Sequence, residues 1–174
     1  MGEQIALEII RALSNVPGEI VMMFLSALPV TELRASIPVA CTVMADQWAW
    51  PWWKTYILAV AGNMLPVPFI LLLLGPVSRW LSRWSLFKKF FDWLFERTRR
   101  RAGKHVEKYR AMGLAAFVAI PLPVTGAWTG SAAAFVFGIP FRLALPSVFL
   151  GVITAGAIIT LIMNGVLSGL SFLL

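Results

Sequence analysis

Two long stretches without a charged side chain constrain the fold of this chain more than any other feature. Tyr56 to Pro76 and Leu143 to Met163 each contain 21 residues and no Asp, Glu, Lys or Arg. A helix of about 20 apolar residues crosses the hydrocarbon core of a bilayer. Hydrophobic residues make up 59% of the chain, whereas soluble domains contain roughly 45–50%. The sequence therefore predicts an all-α integral membrane protein in which these two stretches are spans.

A tetrapeptide is repeated, once ahead of each predicted span. Leu28 to Thr31 and Leu122 to Thr125 both read Leu-Pro-Val-Thr. Because the residue before a proline avoids helical geometry and glycine permits tight turns, both copies should interrupt a helix. The bends are predicted at Pro29 and Pro38, in and after the first copy, and at Pro121, Pro123, Gly126 and Gly130, in and around the second.

Two structures fit each interrupted segment: a single broken span, or a re-entrant hairpin that enters the membrane and returns to the same face. Arms of about eight residues form roughly 12 Å of helix, which reaches only the middle of the bilayer. Unwound backbone at that depth is tolerated where protein or a water-filled cavity surrounds it. The short arms favour the re-entrant hairpin.

A hairpin followed by one span crosses the membrane once, so the second copy would enter from the face opposite the first. We therefore predict an inverted repeat, an arrangement that recurs in transporters. Residues 1–174 form a single membrane domain with a first repeat at 1–78, a connector at 79–111 and a second repeat at 112–174. The first repeat includes an N-terminal interfacial helix. If each motif were instead a full span, the two halves would be parallel.

The connector carries most of the basic charge. Residues 79–110 contain eleven Lys and Arg against three acidic residues, and residues 79–97 have the pattern of an amphipathic helix with an aromatic face. The positive-inside rule places this segment in the cytoplasm, against the anionic lipids of the inner or plasma membrane. An aromatic face flanked by spans favours membrane lipid over nucleic acid as its partner.

Glu32 and Arg34 are the most informative polar residues, because they lie within residues 28–38, directly after the first copy of the tetrapeptide. A charge near the bilayer centre costs at least about 2.5–3.5 kcal/mol, which favours a functional position facing the protein interior. In an unwound, strand-like bend the two side chains can face one cavity. We expect Arg34 to bind an anionic headgroup and Glu32 to bind a proton or to neutralise Arg34. The alternatives are a structural ion pair that locks the hairpin and a motif that lies at the membrane interface.

Further candidates for substrate contact lie at the two bends and at the start of the second span. Hydroxyls at the bends offer hydrogen bonds, although the same residues can merely shape turns, and the aromatic and basic candidates can serve packing or headgroup contact. These residues are Thr31, Thr125, Trp128, Thr129 and Arg142. One cysteine and one histidine cannot supply a structural metal site, and no nucleophile is paired with a base, so we expect neither a metal, nor a cofactor, nor an enzyme.

The two motifs carry a family resemblance. Glu32 to Pro38 (Glu-Leu-Arg-Ala-Ser-Ile-Pro) and Pro121 to Gly130 (Pro-Leu-Pro-Val-Thr-Gly-Ala-Trp-Thr-Gly) resemble the small multi-drug export family over most of the chain. That family is similar, more distantly, to the DedA/VTT superfamily. The resemblance implies paired re-entrant hairpins and movement of lipid-linked phosphates such as undecaprenyl phosphate, often with proton coupling. Arginines expected in the second hairpin are missing, since residues 112–137 contain no charge.

Three functions follow as alternatives. The first is a flippase-like transporter of a lipid-linked phosphate or a related anionic amphiphile between leaflets, coupled to protons. The second is a proton-coupled exporter of cationic drugs, with Glu32 as the binding acid. The third is a scaffold without transport activity that binds other membrane proteins through small-residue stripes. Two spans make a thin monomer, so a homodimer is compatible with all three functions.

Overall fold

A computed structural model describes residues 2–13, 15–81, 106–121 and 126–173, and every regular element in these ranges is an α-helix. Most of the predicted amphipathic helix at 79–97 lies outside these residues, as do Pro123 and Thr125. The helices are α1 Gly2–Ala12, α2 Gly18–Ala27, α3 Glu32–Cys41, α4 Ala45–Trp48, α5 Trp52–Met64, α6 Val67–Leu81, α7 Val106–Ala119, α8 Ala127–Val136 and α9 Phe141–Leu173.

Both predicted spans are long apolar helical segments. Trp52–Gly75 has 24 residues and Phe141–Gly165 has 25, and each is long and apolar enough to cross a membrane. The first segment is divided into α5 and α6 at Leu65 and Pro66. Proline lacks the N–H that an intrahelical hydrogen bond requires, so Pro66 and Pro68 interrupt the helical ladder at this point.

The helices form two compact units. The first unit comprises Met1–Leu65 and Val152–Leu174, and the second comprises Pro66–Gly151. Each unit therefore contains one repeated motif and part of both long apolar segments. The first unit holds α1 to α5 and the later part of α9, and the second holds α6 to α8 and the earlier part of α9.

In the first unit, α2 and α3 form a helical hairpin around the first motif. Each helix has 10 residues, or about 15 Å of length, and Leu28–Thr31 form the turn between them. The predicted bend at Pro38 is wrong, because Pro38 lies inside α3. The last turn holds despite the missing N–H, since Thr42 donates to the Pro38 carbonyl from both its N–H at 2.9 Å and its Oγ1 at 2.8 Å.

Helix α1 covers the hairpin. Ala6 is fully buried in a core with Val21 and Leu25 of α2 and Val39 of α3. The small alanine side chain lets α1 approach the hairpin closely, and the predicted interfacial helix therefore places its apolar face on protein. The partly buried residues packed against this core include Ile9, Ile10, Leu13, Val16 and Trp48.

Helix α5 runs beside α2 in the same direction. Near the start of both helices, Lys54 Nζ donates to Glu19 Oε1 at 2.7 Å and lies 4.6 Å from the centre of the Trp50 ring. Further along, a Cβ built on Gly62 would lie 2.7 Å from Met23 Cα. The two backbones can therefore cross closely only because residue 62 has no side chain.

In the second unit, one valine fits between two glycines. Val118 of α7 is buried, and a Cβ on either Gly130 of α8 or Gly151 of α9 would collide with its side chain. Gly151 also faces the Ala115 carbonyl oxygen, which would lie 2.8 Å from such a Cβ. The prediction of a bend at Gly130 is wrong, since Gly130 lies within α8 and serves this close packing.

Replacing Gly62 with alanine should destabilise the protein, because the added methyl group collides with the Met23 backbone, which cannot rotate away. We expect a loss of about 1–3 kcal/mol, measured as a lower Tm of the purified protein in detergent. Gly113→Ala is the matched control, since a Cβ there meets nothing within 4 Å. Equal Tm changes in both variants would contradict the close crossing.

The Glu19–Lys54 contact should make stability depend on acid pH. The hydrogen bond from Lys54 is the main reason that the pKa of Glu19 lies below its ordinary value. The stability that this contact adds is fully present above the pKa of glutamate in the unfolded chain, about 4.3. It is lost as pH falls through the lower pKa of Glu19 in the folded protein. Tm should therefore fall less steeply with acid in Glu19→Gln than in the unmodified chain. Superimposable Tm curves against pH would exclude this contribution.

Candidate functional site

Glu32 is a buried carboxylate at the turn of the first hairpin. Only 6% of the residue is exposed, and its backbone φ of +45° lies in the left-handed region. A non-glycine residue in that region costs of order 1–3 kcal/mol and persists where surrounding contacts impose it, commonly at functional sites. Its N–H donates to the Leu28 carbonyl at 3.0 Å, which fixes the start of α3.

Arg34 follows Glu32 by two residues, and the two side chains interact electrostatically. Arg34 is partly exposed whereas Glu32 is buried. The expectation that both lie in a strand-like bend is wrong, because both belong to the first turn of α3. Residues two apart point about 200° apart around a helix, so Glu32 and Arg34 meet different surroundings. Arg34, the cation, is the more accessible of the two.

Two serines join the arms of the hairpin. Ser26 Oγ of α2 lies 2.7 Å from Ser36 Oγ of α3, and both residues are fully buried. Ser36 lies one helical turn after Glu32, so the serine pair and the carboxylate share the buried face of α3. Thr31, a predicted substrate contact, is also buried and donates from Oγ1 to the Leu25 carbonyl. It thereby ties the turn to the end of α2.

Two further polar residues of the first unit are buried with an oxygen that has no hydrogen-bond partner. Asn63 of α5 is 1% exposed and Thr160 of α9 is 4% exposed, and the atoms concerned are Asn63 Oδ1 and Thr160 Oγ1. Burial of such an atom without a partner costs about 1–3 kcal/mol.

The second motif lies in the second unit and is neutral. Thr129 Oγ1 accepts from the Gly126 N–H at 2.8 Å, which caps the start of α8, and Ser131 Oγ donates to the Ala127 carbonyl at 2.7 Å. Trp128 is partly buried and Arg142 is exposed in the first turn of α9. The structure thus brings together Thr31, Glu32 and Arg34 in one unit, and Trp128 and Thr129 in the other.

Ser26, Ser36 and Thr160 are buried polar residues that were not predicted from the sequence. Their signal was polarity within otherwise apolar helices, which marks candidate functional positions in membrane segments. Ser26 and Ser36 are ten residues apart, so their pairing follows from the hairpin and not from local spacing. Among the residues that the structure describes, no group of three His, Cys, Asp or Glu is placed to hold a metal ion.

Comparison with known proteins identifies the family. Residues 32–158 match a family model described as "Putative small multi-drug export protein". No curated protein and no solved structure matches the chain. The match begins at Glu32 and includes the stretches Glu32–Pro38 and Pro121–Gly130, and with the two long apolar helices it marks a membrane protein. The chain therefore belongs to the small multi-drug export family.

Proposed function

We propose that the protein is a membrane transporter that moves an anionic amphiphile, such as a lipid-linked phosphate, between leaflets, with Arg34 as the binding cation. The observation that supports this proposal most is the unequal burial of the charge pair. Glu32 is buried and Arg34 is partly exposed, so an approaching molecule meets positive charge first. Arginine also matches phosphate geometry through paired N–H donors. No covalent chemistry is required.

Glu32 supplies the coupling step in this proposal. With its carboxylate ionised, Glu32 neutralises Arg34 and competes with an anionic headgroup for it. Neutralisation of Glu32 by a proton frees Arg34 to bind the headgroup. Loss of the proton on the other side of the membrane restores the Glu32–Arg34 attraction and favours release. The cost of keeping a carboxylate charged in a buried position makes Glu32 suited to exchanging protons.

The proposed architecture is the inverted repeat of two re-entrant hairpins, with residues 79–110 in the cytoplasm and the protein in the inner membrane. Helices α2 and α3, at about 15 Å each, are half as long as the hydrocarbon core is thick. The division into two units also supports this architecture. The first unit contains the earlier part of the first long segment and the later part of the second, and the second unit contains the remaining parts. This exchange is expected when two spans run in opposite directions.

Export of organic cations is the second candidate, and the family description favours it. In that function the buried carboxylate of Glu32 would attract the substrate, and a proton would displace it. The two candidates make opposite demands on the charge pair. An anion requires Arg34 and competes with Glu32, whereas a cation requires Glu32 and competes with Arg34.

Replacing Arg34 with glutamine should reduce transport of a fluorescent lipid phosphate in reconstituted vesicles about tenfold or more, since a hydrogen bond to a charged group contributes roughly 1.5–3 kcal/mol. Glu32→Gln should keep transport but remove its dependence on an imposed proton gradient. Arg11→Gln and Asp46→Asn, at exposed positions of α1 and α4, are the matched controls. Faster cation efflux in Arg34→Gln, together with its loss in Glu32→Gln, would establish the second candidate instead.

The inverted repeat can be tested by labelling the connections between hairpin and span. In a Cys41→Ala background, single cysteines replace Asp46 in the first half or Phe137 in the second, both at exposed positions. An impermeant maleimide should reach position 46 from outside intact cells and position 137 only after the membrane is opened. Labelling of both from the same side would instead support two parallel halves.

A further inference from the structure

We propose that the site around Arg34 selects phosphate amphiphiles by charge and accepts a headgroup with one negative charge, not two. A phosphate diester meets this requirement directly, and a phosphate monoester meets it after taking up a proton. The inference rests on the proposed function, because it names the substrate class of the same site. It follows from the number and the position of the charged side chains in the first unit.

The accessible face of α3 carries a single charge. Six residues of this helix are buried, and Glu32 is one of them. The partly exposed residues are Arg34, Ala35, Pro38 and Cys41, of which only Arg34 is basic. A molecule that approaches this face therefore meets one cation, whereas the carboxylate that balances it lies among the buried residues.

The other described basic side chains of the first unit lie at the open end of the hairpin, away from its turn. Lys54 is bound at 2.7 Å to Glu19, which lies in the first turn of α2. Arg11 lies in the last turn of α1, and α2 begins soon after α1 ends. Helix α2 extends about 15 Å from this end to the turn. Among the described residues of the unit, Arg34 is therefore the one cation at the turn.

The charge balance of the site distinguishes one negative charge from two. When a proton neutralises Glu32, as the proposed transport step requires, Arg34 leaves the site with a single positive charge. A headgroup with one negative charge then makes the loaded site neutral, whereas a headgroup with two leaves one negative charge unbalanced. An unbalanced charge near the bilayer centre is costly, so a dianion should be carried poorly.

The second repeated motif offers no further cation. Residues 112–137 contain no Asp, Glu, Lys or Arg. Its described hydroxyls bond within their own helix. Thr129 Oγ1 accepts from the Gly126 N–H at 2.8 Å, and Ser131 Oγ donates to the Ala127 carbonyl at 2.7 Å. A second negative charge on the headgroup would therefore find no basic partner in this motif.

A matched pair of fluorescent lipids tests the inference in vesicles that contain the full chain. Phosphatidic acid is a monoester, and phosphatidylmethanol is the diester that differs from it by one methyl group. At about pH 8.5, above the second pKa of a phosphate monoester at about 6, the diester should cross about tenfold faster or more, because the monoester brings an unbalanced charge. At about pH 5.5 the monoester has gained a proton, and the two rates should converge. Vesicles without protein supply the background rates.

The same comparison in Glu32→Gln isolates the effect of pH on the lipid, since residue 32 then no longer titrates. The ratio of the two rates should change with pH as in the unmodified chain. Equal rates at about pH 8.5, above the second phosphate pKa, or faster transport of phosphatidic acid there, would overturn the charge selectivity and leave the proposed function standing. Transport of neither lipid would overturn both.

A second cation on the same face should weaken or reverse the preference. Pro38 lies four residues after Arg34, so the two share one stripe of α3, and both are partly exposed. At the higher pH, Pro38→Arg should raise the rate for phosphatidic acid relative to its methyl ester by about tenfold. Pro38→Gln is the matched control, because it changes the backbone in the same way without adding charge, and it should keep the original ratio.

Each ratio compares two lipids in one protein, so a lower yield of folded protein does not alter it. An equal change of the ratio in Pro38→Arg and Pro38→Gln would contradict selection by charge.

Discussion

The burial of the Glu32 carboxylate at the turn, with Arg34 as an electrostatic partner, is the strongest constraint on the first unit. Only 6% of Glu32 is exposed, and burial of a carboxylate is costly unless a compensating charge or hydrogen bonds accompany it. The positive φ of Glu32 adds a further cost. Packing of neighbouring helices offsets the costs of the buried carboxylate and of its positive φ. Helix α1 covers the hairpin, and α5 crosses α2 closely at Gly62.

The described polar side chains of the two units are used in different ways. In the first unit, side chains from different helices contact each other, as in the Ser26–Ser36 pair, and Glu32 and Arg34 interact at the turn. In the second unit, hydroxyls bond to their own helix, as in the Thr129 cap and the Ser131 contact. The hydroxyls of Thr129 and Ser131 therefore serve helix formation, whereas those of Ser26 and Ser36 join two helices. This difference agrees with the concentration of charge in the first motif alone.

The sequence predicted the elements whose signal is local. An uninterrupted apolar stretch specifies a long helix, and the bend at Pro29 follows from restricted backbone geometry. Pro38 was misplaced because a single missing hydrogen bond is tolerable when Thr42 secures the next turn. Gly130 was misplaced because a glycine can serve close packing as well as bending. The Ser26–Ser36 pair depends on a contact between distant segments, which periodicity cannot supply.

The packing of Val118 between Gly130 and Gly151 restricts how this family can diverge. A larger residue at Gly130 fits only if position 118 has already become smaller, whereas a larger residue at Gly151 would still meet the Ala115 carbonyl oxygen. Residue 118 cannot become larger, because neither glycine has a side chain to lose. Changes at positions 118 and 130 must therefore occur in a fixed order, through an intermediate that contains a void instead of a clash. Related chains should accordingly keep glycine at 151 and a nearly constant total side-chain volume over positions 118 and 130, even where the individual residues differ.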